Sequence, residues 1–315
     1  MNSESVHVSG QTNDLQDRVA VITGGGRGIG RAIAQTLAAA GARVAVIARS
    51  REELAETVCL IKQSGGTAQA FSADVTNPAA VESAMQAINQ LLGPVDVLVN
   101  NAASVKPFGP FWETDLNEWW RSMEVNVRGP LQCALSVLPG MVSRKHGRII
   151  NIASGAGTMA TPYYSSYVIS KTALIRFTEC LALETKACGL TVFAISPGTV
   201  RTAMSEYSLN SPEGQKWLPW FRRIMDENID VPAERPAKLV LELASGRLDA
   251  LSGRFISIYD DLDALLTNAA RIEKENLYSL KLDKLPASGG NPALASILAD
   301  ARRAAEKVSQ ALQSK

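Results

Sequence analysis

Residues 18–48 read R-V-A-V-I-T-G-G-G-R-G-I-G-R-A-I-A-Q-T-L-A-A-A-G-A-R-V-A-V-I-A. The runs at 19–23 and 44–48 are short, apolar and rich in Val and Ile, which is typical of buried strands. Between them lie a glycine-rich turn and a helical pattern that Gly41 ends. This order predicts a strand–turn–helix–strand unit, whose strands run parallel because a helix joins them.

The same alternation continues along the chain. Further strands are predicted at 68–71, 95–99, 148–153, 192–196 and 254–258. Ser50 and Glu53 predict a capping box at the start of the second helix. Asn77-Pro78 begins the third helix, and Gly93 ends it. The whole pattern predicts an α/β fold, a doubly wound parallel sheet of about seven strands with helices on both faces.

Three regions differ in composition. Residues 1–16 form a polar N-terminal tail, and residues 17–260 carry the strand and helix pattern of the main domain. We interpret residues 261–315 as a partly mobile C-terminal extension, since residues 285–292 are rich in Pro, Gly and Ser. The Ala-rich stretch 292–313 has the spacing of one terminal helix.

Charge, cysteine and histidine content exclude several classes of function. The chain has 32 Lys and Arg against 31 Asp and Glu, a net charge of +1, so no overall field favours nucleic acid or an anionic membrane. Its four cysteines form no C-x-x-C pair, which favours a reducing compartment. With His7 and His146 as the only histidines, we expect no metal site, and a Ser-His-Asp hydrolase would depend on His146.

Segments that would direct the chain to a membrane are also not expected. No run approaches the roughly 20 apolar residues that a membrane span needs. Residues 1–16 have neither the basic nor the apolar region of a signal peptide. We therefore expect a cytoplasmic protein.

The glycine-rich turn has a chemical interpretation. Phosphate binding needs backbone N–H donors at close range, and glycines at 24, 28 and 30 permit the tight turn and the close approach. Taken alone, the glycine run is equally compatible with a tight turn that binds nothing. A strand before it and a helix after it favour a dinucleotide.

The motifs together identify a family. T-G-x-x-x-G-x-G at 23–30, Asp74 after the third strand, and N-N-A-A at 100–103 resemble the motifs of short-chain dehydrogenases/reductases, which have a Rossmann-type fold. The resemblance covers residues 18–258, with Ala103 in place of the family's last glycine. It implies these cofactor-binding residues: Thr23, Gly24, Arg27, Gly28, Ile29, Gly30, Arg49, Asp74, Val75, Asn101, Ala102, Tyr167, Lys171, Pro197, Gly198, Val200 and Thr202.

Two arginines bear on which cofactor is used. NAD enzymes place a carboxylate at the end of the second strand for the ribose 2′-hydroxyl. Here Ala48 occupies that place and Arg49 follows, with Arg27 in the glycine loop. Guanidinium groups suit the 2′-phosphate of NADP(H), so we predict that NADP(H) is preferred, with NAD(H) possible. The alternative is that both arginines are solvated surface charges.

Three residues predict the proton-transfer chemistry. Tyr167 and Lys171 are four residues apart and share one helix face. A phenol with a pKa of about 10 is a poor base unless a cation lies nearby. By resemblance, Lys171 also binds the nicotinamide ribose, and Ser154, thirteen residues before Tyr167, binds the substrate oxygen. A chance Tyr-x-x-x-Lys on a helix surface is the alternative for that pair alone.

Asn126 is the fourth catalytic residue that the resemblance implies. Pro130 has no N–H, so a helix through this segment would be distorted and the Asn126 carbonyl would be free. A water on that carbonyl could connect Lys171 to solvent as a proton path. Alternatively, Pro130 only kinks a buried helix.

The substrate is predicted only as a class, a small ketone or secondary alcohol. Residues 203–231 lie where relatives carry a lid, and the aromatic stretch 217–221 falls inside it. An apolar pocket would include Val105, Phe108, Met159, Tyr163 and Tyr164. The tryptophans in the lid could equally pack in the core or at a subunit contact.

Assembly and alternative functions complete the interpretation. We expect a homo-oligomer, either a tetramer or a dimer formed by the helices that hold Asn126 and Tyr167. The long C-terminal extension departs from the family's usual ending and puts the tetramer in doubt. Two other functions stay open: a cofactor-binding regulator without turnover, and an enoyl reductase acting on C=C bonds.

Overall fold

The computed structural model describes residues 14–282, so the predicted terminal helix at 292–313 and the tract 285–292 lie outside the described residues. The strands are β1 (Val19–Thr23), β2 (Arg43–Ala48), β3 (Thr67–Ser72), β4 (Val97–Asn100), β5 (Gly147–Ile152), β6 (Leu190–Ser196) and β7 (Phe255–Ser257). Every predicted strand is confirmed, with ends that agree within two residues.

The seven strands form one parallel sheet in the order β3-β2-β1-β4-β5-β6-β7. Val21 of β1 pairs with Ala45 of β2 on one side and with Leu98 of β4 on the other. The strand order therefore reverses direction between β1 and β4. In open α/β sheets, ligands bind in the crevice at the carboxyl ends of strands beside such a reversal. The doubly wound Rossmann-type fold is confirmed.

Twelve α-helices surround the sheet in the described part of the chain. They are α1 (Gly28–Ala39), α2 (Arg51–Gln63), α3 (Pro78–Leu91), α4 (Leu116–Met123), α5 (Gly129–Arg144), α6 (Ser165–Thr185), α7 (Ala203–Asn210), α8 (Pro212–Trp217), α9 (Phe221–Asp226), α10 (Glu234–Ser245), α11 (Leu262–Thr267) and α12 (Ala269–Lys274). Within residues 14–282, every helix is too short or too polar to cross a membrane.

Alternate side chains of each central strand point to opposite faces, so the sheet carries two hydrophobic cores. Ala20 and Ile22 of β1 belong to the core that α1, α2 and α10 cover. Val19 and Val21 belong to the core beneath α3, α5 and α6. A strand buried on both faces requires a continuous apolar run, which is what residues 19–23 supplied.

The predicted helix boundaries are confirmed with one difference. Gly41 and Gly93 follow their helices with φ of 94° and 101°, and the Asn77 side chain caps α3 by accepting from the N–H of Ala80. Only half of the capping box forms at α2: the Ser50 hydroxyl accepts from the Glu53 N–H at 3.2 Å. The Glu53 carboxylate turns to Arg27 instead.

The chain continues past β7 as a packed segment. Leu265 of α11 and Ile272 of α12 are buried in the core that α1 and α10 cover. Beyond α12, the carbonyl of Tyr278 accepts a hydrogen bond of 2.9 Å from the N–H of Phe255 in the edge strand β7. At the other end, Leu15 of the predicted polar tail is also buried in that core.

Candidate active site

The glycine loop between β1 and α1 forms the floor of the crevice. Gly24 and Gly28 have φ of 64° and 53°, a region that glycine adopts without strain. A Cβ at Gly30 would lie 2.2 Å from the carbonyl oxygen of Gly24, and one at Gly28 would lie 3.0 Å from Cγ2 of Thr202. The loop therefore requires small residues where the two sides of the crevice come closest.

The loop also leaves backbone donors available. Helix α1 begins at Gly28, and its N-cap residue, Arg27, makes no side-chain capping bond. The first turn holds no acidic residue, and Ile29 in that turn is half-buried. Unsatisfied N–H groups at the start of a twelve-residue helix, beside glycines, suit an anionic phosphate group. The residues present thus fit a dinucleotide.

Thr23 and Asn101 hold the loop against the end of β4. The Thr23 hydroxyl accepts hydrogen bonds from the N–H groups of Asn101 and Ala102, at 3.0 and 3.1 Å. The Asn101 amide donates back to the carbonyls of Thr23 and Gly24. The Thr23 hydroxyl and the Asn101 amide thus bond to backbone groups and stabilise the conformation of the glycine loop.

Farther along the crevice, both predicted phosphate-binding arginines have carboxylates nearby. Nη1 of Arg27 donates to Oε1 of Glu53 at 3.0 Å, and Nη1 of Arg49 lies 3.9 Å from Oδ2 of Asp74. Burial raises the pKa of Asp74, but hydrogen bonds from Thr76 and the charge of Arg49 outweigh it, so the net pKa is lowered. Asp74 is thus ionised at neutral pH.

Tyr167 stands on α6 above the carboxyl end of β5, where Ser154 lies. Its ring stacks on Tyr164 with centroids 4.7 Å apart. Burial raises the pKa of Tyr167, and a hydrogen bond with Ser154 lowers it in part, leaving it above its ordinary value. The Ser154 hydroxyl also accepts from the N–H of Ala156 at 3.2 Å, which fixes its position.

Lys171 is buried one helical turn from Tyr167, as the spacing predicts. Its Nζ donates to the carbonyl of Ile152 at 2.7 Å and lies 5.5 Å from the centroid of the Tyr167 ring. Burial lowers the pKa of Lys171 to about 7. In the protein alone the pKa of Tyr167 therefore stays above its ordinary value, because burial disfavours the charged forms of both Tyr167 and Lys171.

Asn126 lies in a π-helical turn, Glu124–Arg128, which Gly129 separates from Pro130. The predicted helix distortion is therefore present. The Asn126 amide donates to the Ser104 carbonyl at 2.8 Å and to the Ser170 hydroxyl at 2.9 Å, and its oxygen accepts from the Ser104 N–H at 2.7 Å. These bonds join the loop after β4 to helix α6.

The loop after β6 forms the opposite wall. Pro197 precedes Gly198, whose φ is 68°, and Val200 makes an isolated parallel bridge with Val231. Thr202 caps α7 through a reciprocal pair of hydrogen bonds with Ser205. On the side of the third strand, the carbonyl of Val75 accepts from the Gln132 amide at 2.6 Å.

An apolar cluster borders Tyr167. Val105, Phe108, Tyr164 and Leu218 are buried together, with Tyr207 and Trp217 half-buried beside them. The Phe108 ring meets Tyr164 at 5.3 Å and Tyr207 at 5.9 Å. Met159, Tyr163 and Trp220 are exposed to solvent, and Tyr163 contacts Trp217 at 4.8 Å between centroids.

Three residues of the site were missed at the sequence level. Ser170 joins Asn126 to the backbone of Tyr167, donating to its carbonyl at 2.7 Å. Arg31 donates a hydrogen bond of 2.6 Å to the Gly26 carbonyl, and the Glu53 carboxylate accepts one from Arg27. Ser170 lies within the Tyr167–Lys171 motif, three residues after the tyrosine. This spacing on a helix could have indicated that its hydroxyl bonds to the Tyr167 carbonyl. The Arg27–Glu53 contact joins residues 26 positions apart and had none.

Comparison with known proteins gives consistent matches. The family model for short chain dehydrogenases matches residues 18–212. A short chain dehydrogenase of Pseudocercospora fijiensis is 34% identical over 279 residues, which cover 85% of this chain and 90% of that protein. 2-(S)-hydroxypropyl-CoM dehydrogenase 3 of Xanthobacter autotrophicus is 33% identical, covering 82% of this chain and 96% of its own. The crystal structure of levodione reductase aligns with a TM-score of 0.72 at 28% identity, covering 78% and 96% of the two chains.

Proposed function

Because the chain belongs to the short chain dehydrogenase family, we propose that it is an oxidoreductase that interconverts a ketone and a secondary alcohol with NADP(H). The observation that carries this proposal is the arrangement of Tyr167, Ser154 and Lys171 at the carboxyl end of β5. A regulator without turnover would need the glycine loop but not these three side chains.

The three side chains have distinct tasks. When bound, a nicotinamide cofactor supplies or accepts the hydride. In the direction of reduction, Tyr167 donates its phenolic proton to the carbonyl oxygen, and the Ser154 hydroxyl donates a hydrogen bond to the same atom. Lys171, with Nζ fixed by the Ile152 carbonyl, returns a proton to Tyr167 and binds the ribose hydroxyls. We assign the π-helical turn at Asn126 to a water-mediated path from Lys171 to solvent.

NADP(H) preference rests on Arg27 and Arg49 at the far end of the crevice. Neither residue that directly follows β2, Arg49 or Ser50, is a carboxylate, the group that NAD enzymes place at the end of this strand. A steady-state comparison of kcat/KM with NADPH and with NADH tests this part. Equal or better use of NADH would contradict it.

An apolar substrate is favoured by the ring cluster of Phe108, Tyr164, Tyr207 and Trp217. Helices α7 and α8 place Tyr207 and Trp217 against the loops that carry Phe108 and Tyr163, which supports the assignment of residues 203–231 as a lid. Two similar proteins are named for 2-(S)-hydroxypropyl-CoM and for levodione, and we likewise expect a small-molecule substrate.

We also propose a cytoplasmic homo-oligomer that uses helices α4, α5 and α6. Exposed apolar side chains on these helices support it: Leu116, Trp120, Leu135, Val142, Ile169 and Leu183. Sedimentation equilibrium measures the mass directly, and a monomer at micromolar concentration would contradict this assembly. Fractionation of cells tests the location.

Tyr167→Phe tests the chemistry. The variant lacks the proton that the carbonyl oxygen must receive, so we expect kcat to fall about 10²- to 10⁴-fold while dinucleotide binding persists. A panel of ketones and alcohols, followed by nicotinamide absorbance, supplies the assay. Product analysis with an enone separates an alcohol from a saturated ketone and so distinguishes a carbonyl reductase from an enoyl reductase. Unchanged turnover in Tyr167→Phe would show that the assigned acid is wrong.

A further inference from the structure

Carboxylates lie beside the arginines at the place assigned to the 2′-phosphate. The two arginines expected to bind the phosphate lie near carboxylates, Arg27 at 3.0 Å from Glu53 and Arg49 at 3.9 Å from Asp74. Only the first of these distances is that of a direct hydrogen bond.

Glu53 is held in place by its own helix. Its N–H donates to the Ser50 hydroxyl, which fixes the first turn of α2. A Cβ at Gly26 would lie 2.9 Å from Cβ of Glu53, so this turn lies directly against the glycine loop. The Glu53 side chain is 34% exposed, against 63% for Arg27. The Glu53 carboxylate is thus the less exposed member of the pair.

Neighbouring acids on α2 do not share this position. The Glu52 carboxylate accepts from the Ser50 hydroxyl at 3.0 Å, and Glu56 pairs with Arg31 at 2.7 Å. Within residues 14–282, the carboxylate in contact with Arg27 is that of Glu53. Removing the charge of such a neighbour therefore controls for the loss of a negative charge on α2 without the loss of a contact with Arg27.

We propose that Glu53 limits the preference for NADP(H) over NAD(H) by acting as the counter-ion of Arg27. This inference rests on the proposed function. A 2′-phosphate carries close to two negative charges and competes with the Glu53 carboxylate for the same guanidinium. A ribose 2′-hydroxyl instead donates a hydrogen bond to a carboxylate, as in NAD enzymes. Glu53 therefore disfavours one cofactor and suits the other, so the enzyme uses both.

Isothermal titration calorimetry of the full chain with NADP⁺ and with NAD⁺ tests the proposal on Glu53→Gln, which keeps the size and removes the charge. We expect Kd for NADP⁺ to fall about twofold to fivefold, the range for an exposed ion pair, and Kd for NAD⁺ to rise. In an Arg27→Gln background the same substitution should have a smaller effect on NADP⁺, because its partner is gone. Glu52→Gln is the control, and thermal unfolding checks that all variants fold.

The outcomes separate the two levels of the argument. If the wild-type chain binds neither dinucleotide, the proposed function fails and this inference fails with it. If both bind, but Glu53→Gln shifts the ratio of the two Kd values no more than Glu52→Gln does, only the role of Glu53 is wrong. An unchanged effect in the Arg27→Gln background would assign the shift to long-range charge and overturn the counter-ion role.

Discussion

The two ends of the proposed cofactor site hold their polar side chains in different ways. At the nicotinamide end, Lys171 is 2% exposed and Asn126 is fully buried, and their hydrogen bonds join backbone groups and a buried serine. At the adenosine end, the side chains of Arg27 and Arg49 are 63% and 74% exposed, beside carboxylates. One end is built into the fold, whereas the other lies in solvent.

This difference separates fixed geometry from adjustable charge. Buried polar groups must be satisfied by specific partners, so their positions follow from the packing of β5, α6 and the π-helical turn. Exposed ion pairs are screened by water and contribute little each. Substitutions at the buried end should therefore have large effects on turnover and stability, and those at the exposed end should only shift selectivity.

Lys171→Met should reduce turnover as strongly as Tyr167→Phe does. Met fills a similar volume but cannot return a proton to Tyr167, so we expect kcat to fall about 10²- to 10⁴-fold. Turnover assays at saturating cofactor measure this loss. Lys62→Met, on the exposed part of α2, is the control and should leave kcat unchanged.

The same variant makes the cost of burying Lys171 measurable. Because the folded pKa of about 7 lies below the unfolded value near 10.5, the unfolded chain binds more protons between these pH values, so stability rises with pH. Relative to Lys171→Met, the wild-type free energy of unfolding should increase by on the order of a few kcal/mol between pH 7 and 9.5. Parallel urea titrations at both pH values would contradict this if the difference stayed constant.

Gly30→Ala probes the floor that joins the two ends. The added methyl would lie 2.2 Å from the Gly24 carbonyl oxygen and 2.6 Å from Nδ2 of Asn101, so the loop must shift. We expect a loss of about 1–3 kcal/mol in unfolding free energy, together with weaker dinucleotide binding. Gly140→Ala is the matched control, since its methyl would meet only the flexible end of Arg144. Equal stability of the two variants would refute the close approach.

Arg49→Gln should give the smallest effect, at the exposed end. Removing one guanidinium weakens the attraction for the 2′-phosphate, so kcat/KM with NADPH should fall about twofold to fivefold more than with NADH. Added salt should lower the NADPH-to-NADH ratio of kcat/KM less in this variant than in the wild type, because the variant has one charge fewer to screen. A fall of a hundredfold would mean that this end is as fixed as the other.

The sheet, and the separation of Tyr167 and Lys171 by one helical turn, could be predicted from the sequence for a common physical reason. Strands such as 19–23 and 44–48 are apolar on both faces, and Tyr167 and Lys171 are joined by one helical turn, so local spacing already determines their geometry. Glu53 shows the limit. Its spacing to Ser50 predicts a reciprocal cap, but its carboxylate prefers the charge of Arg27, which only the folded chain brings close. Met159 is a second example: its position in the sequence indicates the apolar substrate pocket, but its side chain is exposed to solvent.

The segment after α12 has a consequence for assembly. A β-strand at the border of a sheet offers free donors and acceptors to any strand that arrives from another molecule. Here the Phe255 N–H is already bonded to the Tyr278 carbonyl, and the Arg254 side chain reaches Asn276 and Leu277 in the same stretch. Residues 276–278 thus cover part of the edge strand β7. A strand from a neighbouring molecule would have to displace them before it could pair with β7 and extend the sheet.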